Sequence, residues 1–188
     1  MTDPALSDAT TIAQIVKTYP ALCAHVVDLP YRLCSPSAQD PRNMRVWRDA
    51  TGATIGFAIV QREFSTLDWA IAPKHSPMRE QIFNWAIQRL TAIRAEREND
   101  LGFLIGSRDP NDDLILGADF IDDGWAMRHL SMSLTGALPE PKVPEGIRIR
   151  PLAGLAETGA YVALHQSAFD SRNMSVEWRM RTLAHPAY

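Results

Sequence analysis

The chain has 188 residues and a formal net charge of -3, with 46% hydrophobic and 22% charged residues. That is the mix of a globular protein, not of a disordered or collagen-like chain. At ~150 residues per domain it holds one domain and part of another. Its apolar runs are short, Phe57-Ala58-Ile59-Val60 being typical, far below the ~18 residues of a membrane span. A pI of about 5.9 speaks against non-specific nucleic-acid binding. Met1-Thr2-Asp3-Pro4 has neither a basic start nor an apolar stretch behind it. A signal peptide is therefore not expected, and Cys23 and Cys34 should be reduced thiols in a cytoplasmic protein. Cys23, His25 and Cys34 match no common zinc spacing, so no metal is expected.

Ile12, Ile15, Val16 and Tyr19 predict one face of a helix over 8–19, with Ser7 or Asp8 as its cap. Leu22, Cys23, Val26 and Val27 suggest a second helical piece ending near Pro30, followed by a loop with Pro36 and Pro41. The period then changes. Residues 44–48 and 54–60, separated by Asp49-Ala50-Thr51-Gly52, read as a β-hairpin. Thr66 to Ala72 adds a third strand of an antiparallel meander. Ser76-Pro77 opens the clearest helix, 77–98, with Ser76 as N-cap and Pro77 at the first helical position. Its buried stripe is Ile82, Phe83, Ala86, Ile87, Leu90 and Ile93.

Residues 101–107 suit a buried strand, 111–120 a short helix with an acidic start, and 126–134 a last strand. Three prolines within 138–146 mark a linker. The chain then starts again: a strand at 147–150, a helix over 155–169 with Val162 and Phe169 spaced by seven, and a helix capped by Ser175 carrying Val176, Met180 and Leu183.

No nucleophile elbow, phosphate loop, paired C-x-x-C or H-E-x-x-H is present. The step from strand 66–72 into helix 77–98 is the main candidate site. Free N–H groups at a helix start favour anions, and Lys74, His75 and Arg79 surround this turn. The plain alternative is that they are solvated charges.

The layout, with Thr66-Leu67-Asp68-Trp69-Ala70-Ile71-Ala72-Pro73 feeding a helix and Leu116-Gly117-Ala118-Asp119-Phe120 closing a short one, resembles the GNAT superfamily of N-acetyltransferases. The restart at Glu145-Gly146-Ile147-Arg148-Ile149-Arg150-Pro151-Leu152, with Tyr161-Val162-Ala163-Leu164-His165 and Asn173-Met174-Ser175-Val176-Glu177-Trp178-Arg179, is similar to the opening of a second such domain. The whole resembles tandem-GNAT bacterial proteins related to mycothiol synthase. The resemblance implies an α+β fold with a mixed, mostly antiparallel sheet flanked by helices. It implies a first domain at 1–137, a linker at 138–146 and the first strand and helices of an incomplete second domain at 147–188.

It also implies acetyl-CoA as co-substrate, lying between splayed strands 66–72 and 101–107 and donating its acetyl group to a small-molecule or peptide amine. Backbone N–H groups of Ile71 and Ala72 would polarise the thioester, and Lys74, Ser76 and Arg79 would hold the pyrophosphate. Two departures stand out. The turn has no glycine, none occurring between Gly56 and Gly102, and segment 109–125 has no tyrosine to serve as general acid. Glu63, Asp68 and His129 remain as candidate acid or base. The first domain therefore resembles a degenerate one, and the chain alone should turn over little acetyl-CoA. The alternative is a non-catalytic pseudo-acetyltransferase module that scaffolds a catalytic domain or senses acyl-CoA. A third reading is an unrelated α+β interaction domain, from which splayed strands would separate the other two. A ~40-residue piece cannot bury a core by itself. Either the protein is longer, or 147–188 docks on the first domain or on another copy, the last making it a surface for self-association.

Overall fold

The computed structural model describes residues 4–19, 28–96, 102–105, 112–124, 133, 135–137, 140 and 142–185. At its centre is a four-stranded sheet in the order β1 (Met44–Arg48), β2 (Thr54–Gln61), β3 (Thr66–Ile71) and β4 (Leu104–Ile105). The first three strands form the expected antiparallel meander, and β4 pairs parallel with β3. A parallel neighbour needs a crossover. Here α4 (Arg79–Ala95) supplies it. The first hairpin turns where Asp49 Oδ1 accepts hydrogen bonds from the N–H groups of Thr51 (2.9 Å) and Ala53 (3.1 Å). Gly52 takes the left-handed φ of 85° that this turn requires.

Alternation along the strands divides the core into two faces. On one face, Phe57, Ile59, Ala70 and Ala72 meet Ile12, Ile15 and Val16 of α1 (Pro4–Thr18) and Leu29 and Leu33 of α2 (Leu29–Leu33). On the other, Ala58, Val60 and Leu67 meet Ile82, Phe83, Ala86, Leu90 and Ile93 of α4. Ile87 is only half-buried, and the other five stripe residues are buried as expected. Helix α4 lies close to the sheet because Gly56 has no side chain. A Cβ there would sit 2.7 Å from Ile82 Cδ1 and 3.0 Å from the Ala70 carbonyl oxygen.

Several boundaries differ from the sequence reading, mostly at prolines. Helix α1 starts at Pro4, so Ser7 and Asp8 lie inside it. Pro30 lies in the first turn of α2, where a proline's fixed φ is suited. Residues 20–27, including Cys23 and His25, lie outside the described residues. Pro36 and Pro41 likewise open short helical turns: α3 (Pro36–Gln39), capped by Ser35, and a 3₁₀ turn at Pro41–Asn43, capped by Asp40. Ser76 is not an N-cap. Pro73–Met78 form a 3₁₀ turn, and α4 starts after Met78 without a side-chain cap.

Of the run expected as a buried strand at 101–107, residues 102–105 are described; Leu104 and Ile105 pair with β3, and Leu104 is 52% exposed. Helix α5 (Asp113–Leu116) is capped by Asp112, whose carboxylate accepts the Leu114 N–H. The strand expected at 126–134 falls almost wholly outside the described residues.

Residues 147–150 are not in a strand. They find no sheet partner among the described residues, and Ile147 and Ile149 are 60% and 76% exposed. Helix α6 (Thr158–Phe169) buries Thr158 and Val162 but leaves Phe169 at 70% exposure, at the last position before the left-handed Asp170. Ser175 caps α7 (Val176–Ala184) through the Trp178 N–H, as expected. The inward face of α7 is Trp178, Arg179 and Thr182, whereas Val176 and Met180 are exposed. This face turns inward because Trp178 stacks on Tyr31 with ring centroids 4.4 Å apart and donates its indole N–H to the Tyr31 carbonyl at 2.9 Å. Phe64, Cys34, Val162 and Met174 complete a third core cluster. Arg181 donates to the Cys34 carbonyl and Asn173 to that of Glu63. Helices α6 and α7 and the segment between them thus dock on α2 and the β2–β3 turn.

Candidate functional site

Strand β3 runs outward along the sheet and ends at Ile71, where the chain enters the 3₁₀ turn and then α4. This is the candidate site, and its backbone groups divide in two directions. The Ala72 N–H donates to the Ile55 carbonyl at 2.7 Å. It is therefore spent on the sheet and cannot polarise a thioester, contrary to expectation. Ile71 is the next position along the ladder, opposite Gly56. Antiparallel partners alternate between bonded and non-bonded pairs. The Ile71 N–H consequently points away from β2, toward the side where β4 lies. On that side the described pairing with β4 covers only Thr66–Leu104 and Leu67–Ile105. Residues 106–110, which follow β4, lie outside the described residues.

The side chains of the turn also diverge. Arg79 leaves on the α4 face, where it pairs with Asp112 and lies over the Trp69 ring at 5.3 Å. Lys74 is exposed and faces the α1 side, lining a cleft of about 270 Å³ between α1 and the β1–β2 turn. The sequence places these two cations around one turn, but the fold sends them to opposite faces. Ser76 is exposed, and its carbonyl accepts the Arg79 N–H. His75 stands at the kink of the turn (φ -113°, ψ 17°). Its Nε2 is buried without a hydrogen-bond partner among the described residues. A buried polar atom left unpaired is costly and marks a place where a ligand could be accommodated.

The candidate acid–base residues are elsewhere. Asp68 is buried, with both carboxylate oxygens 3.2 Å from Arg32 Nη1. The same guanidinium donates to Thr66 Oγ1 (2.8 Å) and to Asp28 (2.8 Å), and it lies 4.3 Å above the Phe64 ring. A carboxylate so engaged serves as a structural partner. Glu63 lies in the β2–β3 turn, at the opposite end of β3 from Ile71. His129 lies outside the described residues. No group of His, Cys, Asp and Glu that could hold a metal occurs among the described residues, and none of their helices is long and apolar enough to cross a membrane.

Sequence reasoning missed the Arg32–Asp68–Thr66 network and the Arg79–Asp112 pair. Both join residues more than thirty positions apart, and no local spacing signals them. Family models, curated proteins and solved structures all yield no match to this chain.

Proposed function

We propose that the sheet unit follows a GNAT-like acyltransferase plan, binds acyl-CoA at the end of β3 and by itself transfers little of it. The observation that supports this reading is the direction of the Ile71 N–H at the end of β3. The β3–β4 pair is parallel, and the Ile71 N–H is directed to the β4 side of β3. A backbone donor held in that position costs no reorganisation when negative charge develops on a thioester oxygen. The rest of the chemistry is an attack by a neutral amine on the acetyl carbonyl, loss of the amine proton to a base and protonation of the departing thiolate. Asp68 is occupied by Arg32, and Glu63 lies at the other end of the strand. Of the three candidate acids and bases, the two that are described are thus placed away from this chemistry, and His129 lies outside the described residues. This is why the non-catalytic module is favoured.

A second reading, an active N-acetyltransferase, draws on the same Ile71 N–H and on the unpaired His75 Nε2 at the turn. Calorimetric titration of the full chain with acetyl-CoA, followed by a turnover assay on a panel of amines, separates the readings. Saturable binding without turnover is expected. Binding with turnover selects the second reading, and no binding overturns both.

A further inference from the structure

The cleft on the α1 face carries a separate inference, independent of the acyl-CoA reading. It is lined by α1, the β1–β2 turn, the start of β2 and the residues just past β3. Two opposite charges line it. Lys74 makes no hydrogen bond or ion pair among the described residues. Asp49 uses one oxygen, Oδ1, for its bonds to Thr51 and Ala53. Its other oxygen has no hydrogen bond among the described residues. Lys74 acts on Asp49 through space without closing a contact. The Thr51 hydroxyl and the turn N–H groups keep the Asp49 carboxyl below its usual range, so it is ionised. Buried Ile15, Ile55 and Ala72 give an apolar floor, and exposed Gln14 adds an amide at the rim.

We propose that this cleft binds a small zwitterion, an amino acid with a short aliphatic side chain, its carboxylate on Lys74 and its ammonium on Asp49. A simple anion would meet the Asp49 charge, and a simple cation would meet Lys74; only a ligand with both charges satisfies both groups. The volume of about 270 Å³ leaves room for such a ligand together with water. The side chain rests on the apolar floor.

The test is a ¹⁵N-correlation NMR titration of the full chain with glycine, L-alanine and L-valine, using propylamine and propionate as singly charged controls. At least one zwitterion is expected to give saturable shifts at Ala53, Thr54 and Ile55, with the controls at least tenfold weaker. Lys74→Gln and Asp49→Asn should each weaken binding at least tenfold. Asparagine keeps an oxygen acceptor for the turn, so a native-like spectrum of Asp49→Asn verifies the fold. Three results would each overturn the proposal: no saturation with any zwitterion at millimolar concentration, controls that bind equally well, or affinity unchanged in Lys74→Gln.

Discussion

The two faces of the sheet are built on different principles. The α4 face is closed by aliphatic and aromatic side chains interleaved at helical and strand periods. The α1–α2 face combines such a core with a buried polar lattice. Arg32 ties Asp28, Thr66 and Asp68 together, while Ser35 Oγ donates to Gln61 Oε1 and Gln61 Nε2 donates to the Arg32 carbonyl. An apolar face tolerates exchange of one side chain for another of similar volume. A polar lattice does not, because losing one member strands the others without partners. The second face thus fixes a specific arrangement where the first mainly supplies burial.

Mutagenesis can break this comparison. Phe83→Ala on the α4 face should cost about 3–5 kcal/mol, read by chemical denaturation. A loss under about 1 kcal/mol would show that the face does not carry its share of the burial. On the other face, Asp68→Ala should cost up to about 3–5 kcal/mol, because it removes the fully buried partner of Arg32 and leaves only the part-exposed Asp28. The double variant Arg32→Met with Asp68→Leu should recover most of that loss. If the double variant is as unstable as the single one, the ion pair is not the reason for the loss.

A smaller effect tests the third core cluster. Trp178→Phe removes the hydrogen bond to the Tyr31 carbonyl and part of the stack, and should cost about 1 kcal/mol in the same measurement. The smallest expected effect is a pH dependence in 147–185. Burial, and for His165 also the Arg179 charge, pushes His165 and His185 below the ordinary value of 6.5. The folded chain therefore holds them neutral while the unfolded chain protonates them first. Their contribution is complete above about pH 6.5 and is lost as pH falls from there toward the lowered folded values. Thermal melts should show a drop in stability between about pH 7.5 and about pH 5.5 that shrinks in His165→Phe. Equal drops in both chains would exclude His165 as a source.

How much was legible in the sequence follows the same division. Ile12, Ile15 and Val16, the three meander strands and the α4 stripe all repeat at a fixed period, and the fold uses that period. Pro30, Pro36 and Pro41 were legible only as interruptions, because a proline that ends one element looks in sequence like one that begins another. The face of α7 was misread because Val176, Met180 and Leu183 fit a stripe, whereas stacking on Tyr31 decided the orientation. At the candidate site, the Lys74–Arg79 neighbourhood was legible. Its splitting across the sheet was not, since it depends on Asp112 on one face and the α1 cleft on the other.

Every residue from 142 to 153 is exposed and outside helix and strand, yet this stretch leads into a hairpin seated firmly through Trp178. The seating is therefore a binding reaction carried out on a leash. The leash gives the hairpin a local concentration in the millimolar range, independent of how dilute the protein is. A single backbone cut within 142–153 would remove that advantage without touching any contact at Tyr31, Phe64 or Cys34. The hairpin would then hold on only by its intrinsic affinity, and dilution alone would decide whether it stays.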